Sequence, residues 1–349
     1  MNYFTYIPFL IAFIGFQLLA VGSIRSKNVL TLITIYLILS ALDFLPMIFF
    51  YILNIQINFI YFIFSLLSLS IITTQFIEKT SIKTIFIYLI FQILLFCPAF
   101  YFLFLLLLRY FNFCESNQIL FIFLVALYSS ISCLSISHFI GPRIGRFTKD
   151  GRSIAIPGNN IIFIYFGSLI FIFSTISFFQ ESNPDWIRFI FSNFSLSIIG
   201  SSLSSIFITK KIDPLILISS LFTFMIFSVS GSLINPSYVV FPLTFIISFL
   251  NIYIQNKIEV KFLFDDPLFL IVPVILSLLS LIIILSILNG FSTFIIFALS
   301  TLYIWISNLI ILKLMNKFSN LRYHPNCEEI GSDLYEIGYE AYPKLFKDF

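Results

Sequence analysis

The sequence predicts an all-α polytopic membrane protein. Hydrophobic residues make up 60% of the 349 positions, charged residues make up only 10%, and long apolar runs recur along the whole chain. A helix needs about 20 apolar residues to cross the hydrocarbon region of a bilayer. A water-soluble core of this size could not bury so much apolar surface, so we expect lipid to surround most of the chain.

Division of the chain at charges, prolines, glycines and asparagines predicts eleven transmembrane helices. In chain order they are 3–24, 29–52, 58–77, 84–108, 118–140, 160–180, 187–209, 213–234, 236–255, 267–288 and 291–314. The first segment lacks the basic residues that open a signal peptide and is too long for one, so we expect a retained helix.

The lysines and arginines predict the orientation, because cytoplasmic loops retain these residues. The odd-numbered loops hold twelve of the nineteen, and the even-numbered loops hold only Arg109 and Arg188. The remaining five lie at the end of the last helix and in the polar tail. This split indicates an N-terminus outside the cell and a cytoplasmic C-terminus. It also agrees with the division into eleven helices, because merging or splitting one segment would scramble the alternation.

The long basic fifth loop, residues 141–159, then lies in the cytoplasm and divides the predicted transmembrane domain, residues 1–314. The two parts that it joins are five-helix halves, at 1–140 and 160–288. An odd number of helices gives the halves opposite orientations, as in transporters built from inverted repeats. A final helix at 291–314 and a cytoplasmic tail at 315–349 complete the predicted organisation.

Several motifs resemble those of the ammonium transporter family (Amt, Mep and Rh proteins). GPRIGRFTKDGRSIAIPGNN, which begins at Gly141, resembles the family's loop between its fifth and sixth helices. EEIGSDLYEIGYEAYP, which begins at Glu328, resembles its cytoplasmic tail, with Ile337 where the family usually has His. VGSIRSKNVL is similar to its first cytoplasmic turn, and DDP at Asp265 to the start of its tenth helix. The resemblance implies the same fold, a pore in each subunit, a trimer, and ammonium or ammonia as the transported molecule.

The motifs themselves have a structural interpretation. We expect Asp266, followed by Pro267, to start a helix by accepting hydrogen bonds from its first amides. We also expect Lys27 to reach the lipid headgroups from the cytoplasmic end of the second helix. In this interpretation the motif residues hold turns and helix ends in place and take no direct part in transport.

The resemblance implies four site residues at the outer side of the pore. Phe64 and Phe178 correspond to the family's two gating rings, and Phe104 and Ser182 correspond to the outer vestibule. Aromatic faces can hold a cation at such a mouth. Because the chain has 48 phenylalanines, ordinary core packing is an alternative for each Phe match.

The histidines argue against the family's pore chemistry, which uses a hydrogen-bonded pair of His. Counting from the motifs, these two positions hold Leu124 and Val274. The chain has only His138, at the predicted cytoplasmic end of the fifth helix, and His324 in the tail. The resemblance is therefore to a divergent member that lacks the pore histidine pair.

One acid, Asp43, lies within a predicted helix. An intramembrane carboxylate is a candidate functional residue. It matches no pore position of the family, and a hydrogen-bonded Asp that faces a neighbouring helix is the alternative interpretation.

Two functional hypotheses follow. The first is an ammonium or ammonia transporter that passes neutral ammonia, or a similar small molecule, through an apolar pore in each subunit. The second is a transport-inactive homologue that acts as an ammonium sensor, scaffold or partner subunit. We expect a homotrimer, or a hetero-oligomer with related subunits, in the lipid bilayer, and in the plasma membrane rather than an internal one.

Other classes find no support in the sequence. It has no phosphate-cradling glycine-rich loop, no Cys or His spacing typical of metal sites, and no nucleophile placed beside a His base. We therefore expect neither an enzyme nor a bound cofactor or metal. The net charge of +3 on such an apolar chain gives no reason to expect a nucleic acid partner.

Overall fold

The computed structural model describes residues 7–46, 48, 59–110, 117–148, 150–154, 156–178, 184–211, 214–230, 239–318 and 320–342. These residues form an all-helical fold, and none of them belongs to a β-sheet. The long helices are α1 (Ile7–Ser23), α2 (Val29–Leu42), α3 (Phe59–Phe76), α4 (Ile82–Tyr110), α5 (Asn117–Ile140), α6 (Ile161–Phe178), α7 (Pro184–Thr209), α8 (Pro214–Ser230), α9 (Val240–Phe262), α10 (Ile271–Asn289) and α11 (Phe291–Phe318). A short helix, α12 (Pro325–Ile330), lies in the tail.

Five stretches of the described chain are long and apolar enough to cross a bilayer, judged by length and composition. They are Ser26–Pro46, Ile82–Tyr110, Ile122–Ile140, Arg188–Ile208 and Phe291–Phe318. The integral membrane character predicted from composition is therefore supported. The count of eleven spans and the orientation stay predictions.

The structure places the ends of two helices later in the chain than predicted. We expected the ninth segment to end at 255, where charged residues follow, but α9 continues to Phe262. The helix tolerates these charges because Glu259 is buried and paired with Arg146, while the lysines on either side of Glu259 stay exposed. The last long helix likewise runs on to Phe318, with its lysines exposed.

A further correction concerns the DDP motif. Asp266 caps a helix as expected, because its carboxyl oxygens accept from the backbone amides of Leu268 and Ile271 at 3.2 and 2.7 Å. However, α10 begins at Ile271, so Pro267 lies in the turn that precedes the helix.

Glycines allow α1 and α6 to pack closely. A Cβ atom on Gly15 would lie 2.5 Å from the backbone nitrogen of Phe171, and one on Gly22 would lie 2.7 Å from the carbonyl oxygen of Asn160. Small residues at such crossings let the backbones of membrane helices approach each other. Because α1 belongs to segment 1–140 and α6 to segment 160–288, this contact joins the two parts of the chain.

The connections before α2, α4, α6 and α10 come together with the tail at one end of the bundle, which we call the tail side. Thr80 and Arg322 form an isolated antiparallel bridge, and the Tyr323 amide donates to the carbonyl of Lys79 at 2.9 Å. The amide of Asn159 donates to the carbonyl of Ile24 at 2.8 Å. The tail residues are therefore part of the folded unit.

Candidate functional site

A cavity of about 60 Å³ lies between the two parts of the chain. Helices α3 and α5 contribute to its wall from one part, and α6, α8 and α10 contribute from the other. Its lining residues are Leu67, Ile71, Ile122, Val125, Ala126, Ser129, Ser130, Phe171, Phe222, Met225, Ile226, Leu270, Ile271 and Val274. Small-molecule sites are commonly placed between helices of a bundle, which makes this cavity the candidate site.

The cavity wall is apolar. Its two hydroxyl groups are satisfied within their own helix, because Ser129 Oγ donates to the Val125 carbonyl at 2.6 Å and Ser130 Oγ donates to the Leu127 carbonyl at 3.4 Å. None of the lining residues carries a charge or an imidazole ring. An unaccompanied ion would therefore find no counter-charge there.

A pair of stacked rings forms part of the wall. The centroids of Phe171 and Phe222 are 5.4 Å apart with an interplanar angle of 29°, and Phe16 contacts Phe171 edge to face at 5.9 Å. The pair joins α6 to α8. Sequence reasoning did not single out either ring, because among 48 phenylalanines nothing local distinguishes the two that line a cavity.

The two positions at which the family has histidines differ in their relation to the cavity. Val274 lines the cavity, whereas Leu124 is buried but is not a lining residue. On α5 the wall is formed by the neighbour of Leu124, Val125, and side chains of consecutive helical residues point about 100° apart. Both histidines are described and lie elsewhere: exposed His138 contacts Trp305, and exposed His324 precedes the tail helix without a side-chain capping bond.

Phe64 and Phe104 both belong to one buried aromatic cluster between α3, α4, α5 and α11, and neither lines the cavity. The ring of Phe64 stacks on Phe100 at 6.1 Å and meets Tyr128 edge to face at 5.6 Å. Phe100 in turn contacts Phe104 at 6.0 Å. The structure thus brings these two predicted residues together through Phe100. Phe178 ends α6, but its side chain, and all of Ser182, lie outside the described residues.

Asp43 follows the last residue of α2 and is 1% exposed. Neither of its carboxyl oxygens has a hydrogen-bond partner within the described part of the chain. The side chain of Ser65 lies beside it but donates to the carbonyls of Tyr61 and Phe62. Asp43 is not a cavity residue, so the structure places this buried acid apart from the candidate site.

Below the cavity, on the tail side, lies an ionic cluster that sequence reasoning missed. Its members are Arg25, Glu78, Lys79, Arg143, Arg146, Glu259 and Asp265. They come from the connections before α2, α4, α6 and α10 and from the end of α9. Buried charges are stable only when paired. The signal in the sequence was the recurrence of basic residues in the loops of this side, together with acids beside some of them.

Arg143 is the central cation of the ionic cluster. Its Nε and Nη2 donate to the carboxylate of Asp265 at 2.8 and 3.0 Å, a bidentate arrangement, and its Nη1 lies 3.4 Å from Glu78 Oε1. Arg25 Nε lies 2.6 Å from Glu78 Oε2. Lys79 Nζ lies 3.6 Å from the same carboxylate of Asp265. The loop motif that begins at Gly141 therefore holds neighbouring loops together through Arg143.

The ionic cluster shifts the pKa values of its members. Burial alone would raise the pKa of the Glu78 carboxyl, but Arg143 and Arg25 outweigh burial and lower it. Burial would also raise the pKa of Asp265, but Lys79 and Arg143 hold it well below its ordinary value. Burial lowers the pKa of Lys79 despite the attraction of Asp265. Both carboxyl groups are therefore ionised at neutral pH.

The tail motif is anchored to the start of α2. The Asp333 carboxylate accepts from the amides of Leu30 and Thr31 at 3.0 and 2.8 Å, and Asn28 Oδ1 accepts from the amide of Ser332 at 2.8 Å. Gly331 has φ of +108°, and a Cβ there would lie 2.7 Å from the carbonyl oxygen of Lys27. These motif residues fix a turn and a helix start.

Lys27 corrects one expectation. We predicted that its side chain would reach the lipid headgroups, but Nζ donates to the carbonyl oxygens of Glu328 and Glu329. These carbonyls lie at the end of α12, where a cation is favoured by the unsatisfied carbonyl groups.

Comparison with known proteins supports the fold. No family model matches the sequence, and no curated protein does so significantly. Among solved structures, a "Sensor Amt Protein" is 15% identical, with 95% of this chain and 96% of that chain covered and a TM-score of 0.74. Rh50 of Nitrosomonas europaea, from the Rhesus protein family of channels, is 16% identical over 99% and 95% of the chains, with a TM-score of 0.64. Candida albicans Mep2 is 11% identical over 93% and 85%, with a TM-score of 0.67.

These neighbours are Amt, Rh and Mep proteins, and they cover most of the chain. The resemblance read from the sequence motifs is thereby confirmed for the fold, which is that of ammonium transporter proteins.

Proposed function

We propose that this protein is a membrane transporter or channel that passes neutral ammonia, or a similarly small uncharged molecule, through the apolar cavity. The observation that carries this proposal is the position of an apolar cavity between the two parts of a chain with the ammonium transporter fold. A cavity that holds one water needs on the order of 10–15 Å³, so about 60 Å³ has room for molecules of ammonia's size.

The wall of the cavity favours the neutral species. Transfer of an ammonium ion into an apolar site is far more costly than transfer of neutral ammonia. The lining residues offer no carboxylate to pair with the ion and no imidazole to accept its proton. Hence the proton has to leave before the molecule enters, and what crosses the described cavity carries no charge.

The aromatic residues take different parts in this proposal. Phe171 and Phe222 line the path directly. Phe64 and Phe104 pack together through Phe100 outside the cavity lining, and they keep their predicted roles as a gating ring and a vestibule residue. Phe178 and Ser182 keep their predicted roles as a gating ring and a vestibule residue.

The test is ammonia flux into proteoliposomes, followed with an internal pH dye. Ala126→Leu places three additional carbon atoms in the cavity, and we expect it to lower the protein-dependent flux at least tenfold. Ala99→Leu is the matched control, because Ala99 is an exposed residue of α4 and does not line the cavity. Wild-type flux equal to that of protein-free vesicles would refute the proposal. Equal flux in the wild type and the Ala126→Leu variant would show that the path lies elsewhere.

A transport-inactive sensor, scaffold or partner subunit is the second candidate. The observation that favours it is the tail, which is held to the bundle by the side chains of Asp333 and Asn28 while the cavity has no proton acceptor. In this case Asp333→Ala would abolish tail-dependent binding of a partner, and Ala126→Leu would leave that binding unchanged.

The proposal includes the predicted topology and assembly. The N-terminus is outside, the tail side faces the cytoplasm, and the two five-helix halves have opposite orientations. Ammonium or ammonia is the substrate, the plasma membrane is the location, and the assembly is a homotrimer or a hetero-oligomer with related subunits. Light scattering of the purified protein, corrected for detergent, gives the number of subunits.

A further inference from the structure

An open groove of about 430 Å³ lies between the tail-side ends of α7 and α9. Its lining residues are Ile208, Tyr253, Asn256, Lys257, Val260 and Lys261. It is separate from the cavity and the ionic cluster, since it shares no residue with either. The groove opens on the outside of the bundle, where its side chains are exposed.

The floor of the groove is apolar. Ile208 is 42% exposed, Tyr253 is 52% exposed and Val260 is 46% exposed, and next to them Phe207 and Phe262 are 75% and 68% exposed. Large apolar side chains exposed together mark a surface that contacts lipid or a partner. In a membrane protein, acyl chains are the natural covering for them.

The rim of the groove is basic. Lys257 Nζ lies 4.1 Å from the centroid of the Tyr253 ring, and Lys261 Nζ lies 5.6 Å from the Phe262 ring. Within the described part of the chain neither lysine forms an ion pair, and Lys210 follows two positions after Ile208. Glu259, between the two lysines in sequence, is buried and paired with Arg146, so it does not neutralise the rim.

We propose that this groove binds the headgroup of an anionic phospholipid in the leaflet on the tail side. The two lysines would contact the phosphate, Asn256 would donate to its ester oxygens, and the exposed rings would lie along the acyl chains. Basic pockets between transmembrane helices attract anionic headgroups in this way, and a lysine near the surface gains on the order of 1 kcal/mol from them. The proposal requires only a membrane location, so it stands or falls separately from transport.

The test is native mass spectrometry of the purified full chain, titrated with dioleoyl phosphatidylglycerol. The double variant Lys257→Gln/Lys261→Gln is expected to bind this lipid roughly 30-fold more weakly, from about 1 kcal/mol for each lysine. Lys257→Arg/Lys261→Arg, which keeps both charges, is expected to retain binding. Dioleoyl phosphatidylcholine, which has the same acyl chains, is expected to bind weakly to wild type and variants alike.

The matched control is Lys313→Gln/Lys317→Gln. These lysines are also four residues apart and exposed, at the tail-side end of α11, and they line no described cavity. An equal loss of binding in the control would assign the effect to general surface charge and overturn the proposal. Equal binding of both lipids, or full competition by glycerol 3-phosphate, would overturn it as well, since the site would then recognise acyl chains or a soluble anion.

Discussion

Replacement of Arg143 by alanine tests whether the ionic cluster holds the tail side together. Arg143 is 4% exposed and makes three contacts with acids: two hydrogen bonds to Asp265 and an ion pair with Glu78. The variant leaves Asp265 with Lys79 and Arg146 at 3.6 Å, and it leaves Glu78 with Arg25 at 2.6 Å. Three cations then serve three buried carboxylates, because Arg146 also pairs with Glu259, and Asp265 keeps cations only at 3.6 Å.

Removal of one partner from a buried ion pair costs about 3–5 kcal/mol. Because each acid keeps another cation, we expect the loss in the free energy of unfolding to fall near the lower end, about 3 kcal/mol. The loss should depend on pH. Glu78 and Asp265 have lowered pKa values in the folded protein, so the stability they contribute is present above their ordinary pKa values, near 4, and disappears as the pH falls. The difference between variant and wild type should therefore be largest above about pH 5 and shrink towards pH 3.

The assay is thermal unfolding in detergent, recorded by intrinsic fluorescence between pH 3 and pH 8. Arg152→Ala is the matched control, because Arg152 is an exposed arginine in the same loop. Its effect should stay within about 0.5 kcal/mol. If both variants lose the same stability, or if the loss for Arg143→Ala does not vary with pH, the assignment of Arg143 as the central cation is wrong.

Three further predictions concern acids. Burial raises the pKa of Asp266 to about 7 despite two amide donors, so its contribution to stability is present below pH 3.8 and lost as the pH rises through about 7. Asp266→Asn should therefore flatten the pH dependence of the melting temperature between about pH 4 and pH 7. Asp333→Ala removes the cap of α2 at a cost of about 0.5–2 kcal/mol, which limited proteolysis should detect as faster cleavage of the tail. Asp43→Leu removes a buried carboxyl that has no hydrogen-bond partner among the described residues, and it should stabilise the protein by about 1–3 kcal/mol, whereas Asp43→Asn should gain less.

The positions of the helices could be predicted from the sequence because their signal is local. Apolar runs and the charges between them predicted segments that each overlap a described helix, although residues 49–58 fall outside the described part. The end of α9 could not be predicted locally. From the sequence alone, Glu259 would be predicted to be a surface charge. Its burial inside the bundle depends on its partner Arg146, which lies 113 positions away.

For the candidate site, the lack of histidine could be predicted from the sequence, but the residues that form the wall could not. Two histidines in the whole chain, neither in the middle of a predicted helix, were enough to predict a cavity without imidazole. The wall residues Phe171 and Phe222 were not predictable, because their position depends on how α6 and α8 pack. Leu124 shows the same limit, since counting from a motif gives a helix position but not the direction of its side chain.

The cavity also has an energetic consequence that separates the two candidate functions. An unfilled cavity costs about 24 cal/mol for each Å³, so a cavity of about 60 Å³ lowers stability by about 1.4 kcal/mol relative to a filled one. Ala126→Leu should recover part of this cost and raise the melting temperature, because the added side chain occupies existing space. Ala99→Leu, on an exposed face, should leave the melting temperature unchanged.

The combination of stability and flux is therefore informative. For a transporter, Ala126→Leu should be more stable than the wild type and yet lose flux. This result would mean that the open space lowers the stability of the protein but is needed for passage. For a sensor or scaffold, the same variant should be more stable with partner binding intact. A variant that is less stable than the wild type would contradict both expectations, because it would show that the wall has no room for a larger side chain at Ala126.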